Sequence, residues 1–284
     1  MAYLSPEKAD LPDIDPDARP CDTQPMAYRL WDGTSLMGYL RFGLRMLLLF
    51  ITLFVCVPFY YSWRILGLSN PWPKIFLKIA AYACGARVKT IGTPIKRDVF
   101  FISNHISWVD IAILGGHSGT AFVSKQEIAN WPIIGWLCRL NDTVFVSRGD
   151  RMAIAQQINE LRDALEETWA ITIFPEGTTT DGSTLLPFKA PLLKVLETPP
   201  PGIMVQPIFL DYGENAFEIG WVGDESAQSN AWRLLTRRGG FPVDVHFLEP
   251  FDPDHFNDRK EIAAEARRQI AKKLSASLGG KAIV

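Results

Sequence analysis

Cysteine and histidine are scarce in this chain, and the few present are too scattered to form a recognisable site. Only four residues of each type occur among 284. The cysteines form no C-x-x-C pair and have no histidine at metal-ligand spacing; they are Cys21, Cys56, Cys84 and Cys138. This pattern argues against a disulfide framework and against a zinc or other metal site. Reduced thiols in a cytosol-facing protein are expected instead.

An excess of positive charge is also lacking. The chain has 29 Lys and Arg against 31 Asp and Glu, so its net charge is -2 and no basic field indicates a nucleic-acid partner. Hydrophobic residues make up 48% of the chain, with nine Trp and seventeen Phe. Such a composition suits one catalytic domain with a large core, an additional segment and a lipid-facing surface.

Residues 1–30 are polar, rich in proline and acidic, and we predict a disordered tail there. The tail lacks a basic start followed by an apolar run, so it does not resemble a secretory signal.

Residues 31–85 are predicted to form a membrane-embedded helical segment. Eighteen residues between Arg45 and Arg64 carry no charge, and as a helix they would extend roughly 27 Å, close to the ~30 Å hydrocarbon core of a bilayer. Pro58 is expected to kink this helix, and a second apolar stretch covers Ile75 to Ala83. A single span, a hairpin in one leaflet and a buried core helix all fit. Basic residues flank both ends, so the positive-inside rule does not fix the orientation.

From residue 86 to residue 284, short β-rich runs alternate with helical stretches, which indicates an α/β domain. A helix is predicted from Met152 to Thr168, and a C-terminal surface helix with one apolar stripe from Asp258 to Leu278. Eight strands are predicted: 88–91, 99–103, 121–123, 144–146, 171–174, 204–210, 217–222 and 243–247.

His105 and Asp110 follow the second of these strands and form a candidate base and its orienting carboxylate. On one regular helix they would lie roughly 140° apart and could not touch. Contact requires His105 to lie in a loop, with the helix beginning near Ser107. The alternative is a capping box, Ser107-x-x-Asp110, in which Asp110 only caps a helix and His105 is an ordinary loop residue.

Polar residues follow other strands too. Glu176, Gly177 and Thr178 come after an apolar strand and suit a polar rim for a ligand, although an ordinary turn fits equally. Arg148 follows Val144 to Val146 and could hold an anion, or it could be a solvated charge. Lys189 is a similar basic residue. Ligands of open α/β sheets gather beyond strand ends, which favours a shared site.

Four motifs together resemble the lysophosphatidic acid acyltransferase family, within the wider glycerolipid acyltransferases. His105 and Asp110 match its H-x4-D motif, and Phe174-Pro175-Glu176-Gly177-Thr178 matches its third motif. Phe145-Val146-Ser147-Arg148 and Val205-Gln206-Pro207-Ile208 resemble the second and fourth. The resemblance covers roughly residues 80 to 250. Asn141 and Pro191 stand where the family often has glycine, which affects the expected acceptor more than the chemistry.

The resemblance implies a mixed sheet flanked by helices and an O-acyltransferase of phospholipid biosynthesis. His105 would be the general base oriented by Asp110, and the acceptor hydroxyl would attack the acyl thioester directly. Glu176, Gly177, Thr178 and Lys189 would shape the acceptor site, and Arg148 would pair with its anionic head. No metal or other cofactor is implied. The co-substrate is acyl-CoA or acyl carrier protein, and the catalytic domain is expected to face the cytoplasm from the membrane.

The expected acceptor is a lysolipid, foremost 1-acylglycerol 3-phosphate, which would give phosphatidic acid. A related branch acylates lyso-ornithine lipid, and the run Trp221 to Ser226 followed by Trp232-Arg233 resembles it.

Two alternatives to acyl transfer belong to other functional classes. Gly116-His117-Ser118-Gly119-Thr120 approaches the nucleophile elbow of serine hydrolases, but it lacks the last glycine and precedes a strand. The second alternative is a non-catalytic membrane scaffold.

Overall fold

The computed structural model describes residues 35–146 and 170–280, and a mixed seven-stranded sheet lies at the centre of this part of the chain. The strand order is β1-β7-β6-β2-β5-β3-β4, and every neighbouring pair is parallel except β6 and β7. The strands are β1 (Ala86–Ile91), β2 (Val99–Ser103), β3 (Ala121–Lys125), β4 (Val144–Val146), β5 (Ala170–Ile173), β6 (Met204–Asp211) and β7 (Phe241–Phe247).

Helices surround this sheet, as the sequence predicts. They are α1 (Leu36–Ile65), α2 (Trp72–Cys84), α3 (Val109–Ser118), α4 (Gln126–Ala129), α5 (Pro132–Leu140), α6 (Ala216–Ile219), α7 (Ala227–Thr236) and α8 (Arg259–Ser277). Short 3-10 helices cover Ala190–Glu197, Gly213–Asn215 and Pro253–His255.

The central strand β2 is buried along its whole length, because helices cover both faces of the sheet. Phe101 packs in the core cluster that includes α3, whereas Phe100 and Ile102 pack on the other face with Ile262 of α8. The apolar stripe predicted for the C-terminal helix is confirmed at Ile262, Ala266, Ile270 and Leu274, which are all buried. The predicted Leu278 lies at the end of α8 and is exposed.

The apolar segment forms an antiparallel pair of helices, α1 and α2. Helix α1 continues through Pro58 and is long and apolar enough to cross a membrane, with only 11% of its most apolar 18-residue window buried. Such exposure is not that of a core helix. Helix α2 packs closely on α3, where a Cβ added at Gly116 would lie 2.5 Å from the Cα atom of Lys78.

The predicted strand 217–222 is wrong. This stretch instead forms α6 and an irregular segment, because its backbone bonds to other parts of the chain: the Trp221 N–H donates to the Ile106 carbonyl, 2.9 Å away. The other predicted strands agree with the structure to within three residues at either end. The predicted tail 1–30, the helix 152–168 and Arg148 lie outside the described residues.

Candidate active site

His105 and Asp110 meet just beyond the end of β2, with the His105 Nδ1 atom 2.8 Å from Asp110 Oδ2. Helix α3 begins at Val109, so His105 lies in the preceding loop and Asp110 in the first helical turn. This is the arrangement that the sequence required for contact. The Asp110 side chain is completely buried, whereas that of His105 is 18% exposed and therefore accessible to a ligand.

Asp110 also organises the loop backbone. Its Oδ2 atom accepts hydrogen bonds from the N–H groups of Ile106 (2.8 Å) and Ser107 (2.9 Å). One carboxylate thus contacts the imidazole and also accepts hydrogen bonds from the backbone, so the geometry is compatible with both interpretations of the H-x4-D spacing. Among the described residues the reciprocal half of a capping box is missing, because the buried Ser107 hydroxyl has no hydrogen-bond partner there.

Tyr212 completes this group, and sequence reasoning missed it. The residue directly follows β6, and its buried hydroxyl donates to Asp110 Oδ1. Burial, and then the charge of Asp110, raise the pKa of the Tyr212 phenol well above its usual range, so the hydroxyl remains a donor. Its position after a strand was the available signal, the same one that identified Glu176 and Arg148.

The plane of the His105 ring is also fixed, by an aromatic neighbour. Its imidazole stacks on the Phe174 ring at a centroid distance of 4.0 Å and an angle of 17°. Phe174 directly follows β5, the neighbour of β2, so parallel strands bring these two rings to the same edge of the sheet. The ring is therefore restrained on one side by a carboxylate and on its face by an aromatic ring.

Glu176 faces backbone amides and is almost fully buried. Its Oε1 atom accepts from the His105 N–H and its Oε2 atom from the Leu186 N–H, each at 2.9 Å. Burial raises the pKa of Glu176 to about 7, although the two amides and the nearby His105 act in the opposite direction. Glu176 thus joins the loop after β5 to the loop that carries His105.

The remaining predicted site residues lie around this centre. Gly177 adopts φ 71°, in the left-handed region that favours glycine, and Thr178 is exposed. Lys189 is exposed, and its N–H donates to the Pro175 carbonyl at 2.8 Å. In residues 35–146 and 170–280, no group of three or more His, Cys, Asp or Glu side chains could hold a metal ion.

The segment around Trp221 packs against the His105 loop. The Thr180 N–H donates to the His105 carbonyl at 2.9 Å, and the Trp221 N–H donates to the Ile106 carbonyl at the same distance. The Thr179 hydroxyl donates to the Trp221 carbonyl and closes the arrangement. Two segments distant in sequence therefore fix the backbone on which His105 sits.

Comparison with known proteins supports the implied family. The family model described as Acyltransferase matches residues 87–211. The chain is 33% identical over 224 residues to a lyso-ornithine lipid O-acyltransferase of Rhizobium meliloti, covering 74% of this chain and 76% of that protein. It is 31% identical over 246 residues to one of Brucella abortus, covering 80% and 91%. The chain belongs to the lysophosphatidic acid acyltransferase family.

This acyltransferase also resembles more distant relatives. It is 33% identical over 116 residues to a 1-acyl-sn-glycerol-3-phosphate acyltransferase of Neisseria gonorrhoeae, covering 41% of this chain and 46% of that protein. The crystal structure of the 1-acyl-sn-glycerophosphate acyltransferase of Thermotoga maritima matches with a TM-score of 0.61 and 22% identity, covering 84% of this chain and 97% of that one. That similarity shows the shared fold.

The serine hydrolase alternative does not fit this acyltransferase. Ser118 lies in the last turn of α3, where its hydroxyl donates to the Leu114 carbonyl at 2.7 Å. His117 Nδ1 lies 2.8 Å from the Ile113 carbonyl. A nucleophile elbow needs a sharp turn from a strand into a helix, and this segment leads from a helix into a strand.

Proposed function

We propose that this acyltransferase moves a fatty acyl chain from a thioester directly to the hydroxyl of a lysolipid, with His105 as general base. The contact of His105 with Asp110 supports this proposal most strongly. Nδ1–H is held by the carboxylate, so Nε2 is the nitrogen that takes the hydroxyl proton as the oxygen attacks the thioester carbonyl. The imidazolium then returns the proton to the departing thiolate.

Asp110 and Tyr212 support the base without touching the substrate. The carboxylate stabilises the imidazolium that forms during attack, because opposite charges in a buried site favour the protonated ring. Tyr212 holds the second carboxylate oxygen and so fixes the plane of Asp110. The donor thioester is acyl-CoA or acyl carrier protein, and the reaction needs neither a metal nor another cofactor, since the thiol is already a good leaving group.

For the acceptor, lyso-ornithine lipid is now favoured over 1-acylglycerol 3-phosphate. The relatives named for lyso-ornithine lipid match 74% and 80% of this chain, against 41% for the relative named for the glycerol phosphate. The segment that resembles the lyso-ornithine branch also borders the site through Trp221. Arg148, with Glu176, Gly177, Thr178 and Lys189, would shape the acceptor site, and Arg148 would pair with a carboxylate.

The exposed apolar side of α1 supports membrane attachment. We further propose that the catalytic domain faces the cytoplasm. The acceptor and the product then keep their acyl chains in the leaflet, and only the head group and hydroxyl need to reach His105.

An acyl-transfer assay with purified protein, both thioester donors and both lysolipids tests the proposal. We expect His105→Ala to lower turnover by about 10²–10⁴, the usual contribution of a general base. His117→Ala is the matched control, because His117 contacts only its own helix backbone among the hydrogen bonds described. Near-normal turnover of a folded His105→Ala protein would contradict the mechanism. Turnover of lysophosphatidic acid alone would reverse the acceptor preference.

A further inference from the structure

Helix α5 exposes large apolar side chains on the surface of the catalytic domain. Ile133 is 62% exposed, Ile134 45% and the preceding Trp131 44%. We propose that this face of α5, defined by Trp131, Ile133 and Ile134, inserts into the same lipid leaflet as the exposed side of α1. The inference goes beyond acyl transfer and depends only on the proposed membrane position of α1.

Helix α5 adjoins the apolar surface of α1 through Trp136, a residue of the same helix as the α5 face. Trp136 of α5 and the α1 residues between Phe50 and Pro58 line one open apolar cavity of about 540 Å³. Phe50 and Phe54 are themselves 59% and 81% exposed. The two helices therefore meet at one apolar surface, although they are separated in sequence by α2, β1, β2, α3, β3 and α4.

The position of α5 along α1 identifies lipid as the occupant. The cavity lies within the charge-free stretch of α1 between Arg45 and Arg64, the part suited to hydrocarbon. A helix beside that stretch lies at the same depth, so it must itself tolerate hydrocarbon. The sequence of α5 meets this requirement, because Arg139 is its only charged residue.

The one charged side chain of α5, Arg139, is exposed but makes its contacts with the protein. The Arg139 guanidinium donates to the Ala129 carbonyl at 2.9 Å and lies 5.7 Å from the centre of the Phe145 ring. Gly135 is buried against the backbone of α4, so close that an added Cβ would collide with it. One side of α5 is thus anchored to the domain, and the α5 face carries only apolar groups and one indole, a combination common at membrane interfaces.

Flotation of the full chain with phosphatidylcholine–phosphatidylglycerol vesicles tests the proposal. We expect Ile133→Asp combined with Ile134→Asp to lower vesicle partitioning by about tenfold or more, because aspartate at membrane depth is costly. Leu278→Asp is the matched control, an equally apolar exposed residue at the end of α8, which packs on the other face of the sheet. Acyl transfer in detergent should be retained by both variants and would confirm their folding.

Tryptophan quenching by lipids brominated in the upper acyl chain supplies a second measurement. The part of the tryptophan fluorescence that disappears in Trp131→Phe should be a part that the brominated lipids quench in the wild type. The α5 proposal is wrong if three results occur together: wild type floats, the double variant floats equally, and Trp131 is not quenched. In that case the proposed membrane role of α1 is retained. If wild type itself does not float, the membrane roles proposed for α1 and for the α5 face are both wrong. A double variant that changes only the oligomeric state would assign the face to a second copy and overturn the proposal.

Discussion

Asp110 Oδ2 accepts hydrogen bonds from the Ile106 and Ser107 amides and contacts the His105 imidazole, while Oδ1 accepts from Tyr212. A buried carboxylate with this many donors is held in one orientation. The direction of the His105 ring therefore depends on residues that are themselves buried.

Tyr212→Phe should lower kcat by about 10–100-fold with little change in KM, because a hydrogen bond to a charged group contributes about 1.5–3 kcal/mol. The variant keeps the packing of the ring and removes only the donor to Asp110. Tyr82→Phe, at a 59% exposed tyrosine of α2, is the control. Steady-state kinetics with circular dichroism would check this; a KM effect with normal kcat would contradict it.

The pKa of Glu176, raised to about 7 by burial, predicts a pH-dependent stability. The folded protein holds this proton more tightly than the unfolded chain, so the contribution is full below about pH 4.5 and is lost as pH rises through 7. The unfolding free energy of wild type relative to Glu176→Gln should fall by about 3 kcal/mol between pH 4.5 and 8, at about 1.4 kcal/mol per pKa unit.

Denaturant titrations in detergent at several pH values would measure this difference. Glu265→Gln on α8 is the control, because its hydrogen bond with Arg268 lowers the pKa of Glu265 and gives no loss over this range. A flat difference for Glu176→Gln would contradict the prediction, because it would show that folding leaves the pKa of this carboxyl unchanged.

At the scale of elements, α7 is joined to the start of α3 through one buried amide. Asn230 Oδ1 accepts from the Trp108 indole at 2.9 Å, and its Nδ2 donates to the Gly220 carbonyl at 3.1 Å and to Glu225 at 2.7 Å. Arg233 donates to the same Gly220 carbonyl and to Glu225. The segment after α6 is thereby fixed against the His105 loop.

Asn230→Ala should lower kcat by about tenfold and destabilise the fold by about 1–3 kcal/mol, because it leaves the half-buried Trp108 indole and the buried Gly220 carbonyl without this partner. Asn230→Asp keeps the acceptor for Trp108 and should recover part of the activity. Ser229→Ala, at the exposed neighbouring position, should change neither quantity. Thermal melting and kinetics together would decide; destabilisation without any loss of kcat would mean that the amide is purely structural.

The sequence predicted an element correctly where the residues that determine the element lie within it. Strands β2 and β4 were predicted with their observed limits because short apolar runs mark them. The stretch 217–222 carries a similar run yet forms no strand, since its hydrogen bonds go to Ile106 and Thr179 far away in sequence. Tyr212 and Asn230 were missed for the same reason: their partners are set by tertiary packing that one sequence does not reveal.

For the whole molecule, arginines of α1 attach it to the catalytic domain. Arg45 donates to the carbonyls of Leu234 (2.7 Å), Leu235 (3.0 Å) and Gly239 (3.1 Å), and Arg41 donates to that of Thr236 (2.9 Å). The carbonyls of Leu234, Leu235 and Thr236 lie at the C-terminal end of α7, and Gly239 follows it. A helix C-terminus leaves such carbonyls without helical partners and favours positive charge.

Arg45→Ala should leave vesicle binding unchanged and reduce turnover of membrane-embedded lysolipid severalfold, because the apolar side of α1 is intact while its attachment to α7 is weakened. A soluble short-chain lysolipid should be affected less. Arg64→Ala is the control, since the contact described for Arg64 is a weak 3.4 Å one to Tyr60. Flotation and parallel assays on both acceptors would check this; equal losses on both would contradict it.

The order of the strands has a consequence for biosynthesis. Among the strands that the structure describes, the first, β1, pairs only with the last, β7. On the ribosome, α1 and α2 are therefore made and ready to meet lipid while β1, directly after them, still has no partner. The sheet closes only when Phe241–Phe247 emerges. Nascent chains stalled before this strand should be sensitive to proteases after Gly85, and the membrane would hold the N-terminal helices in place while the rest of the chain is completed.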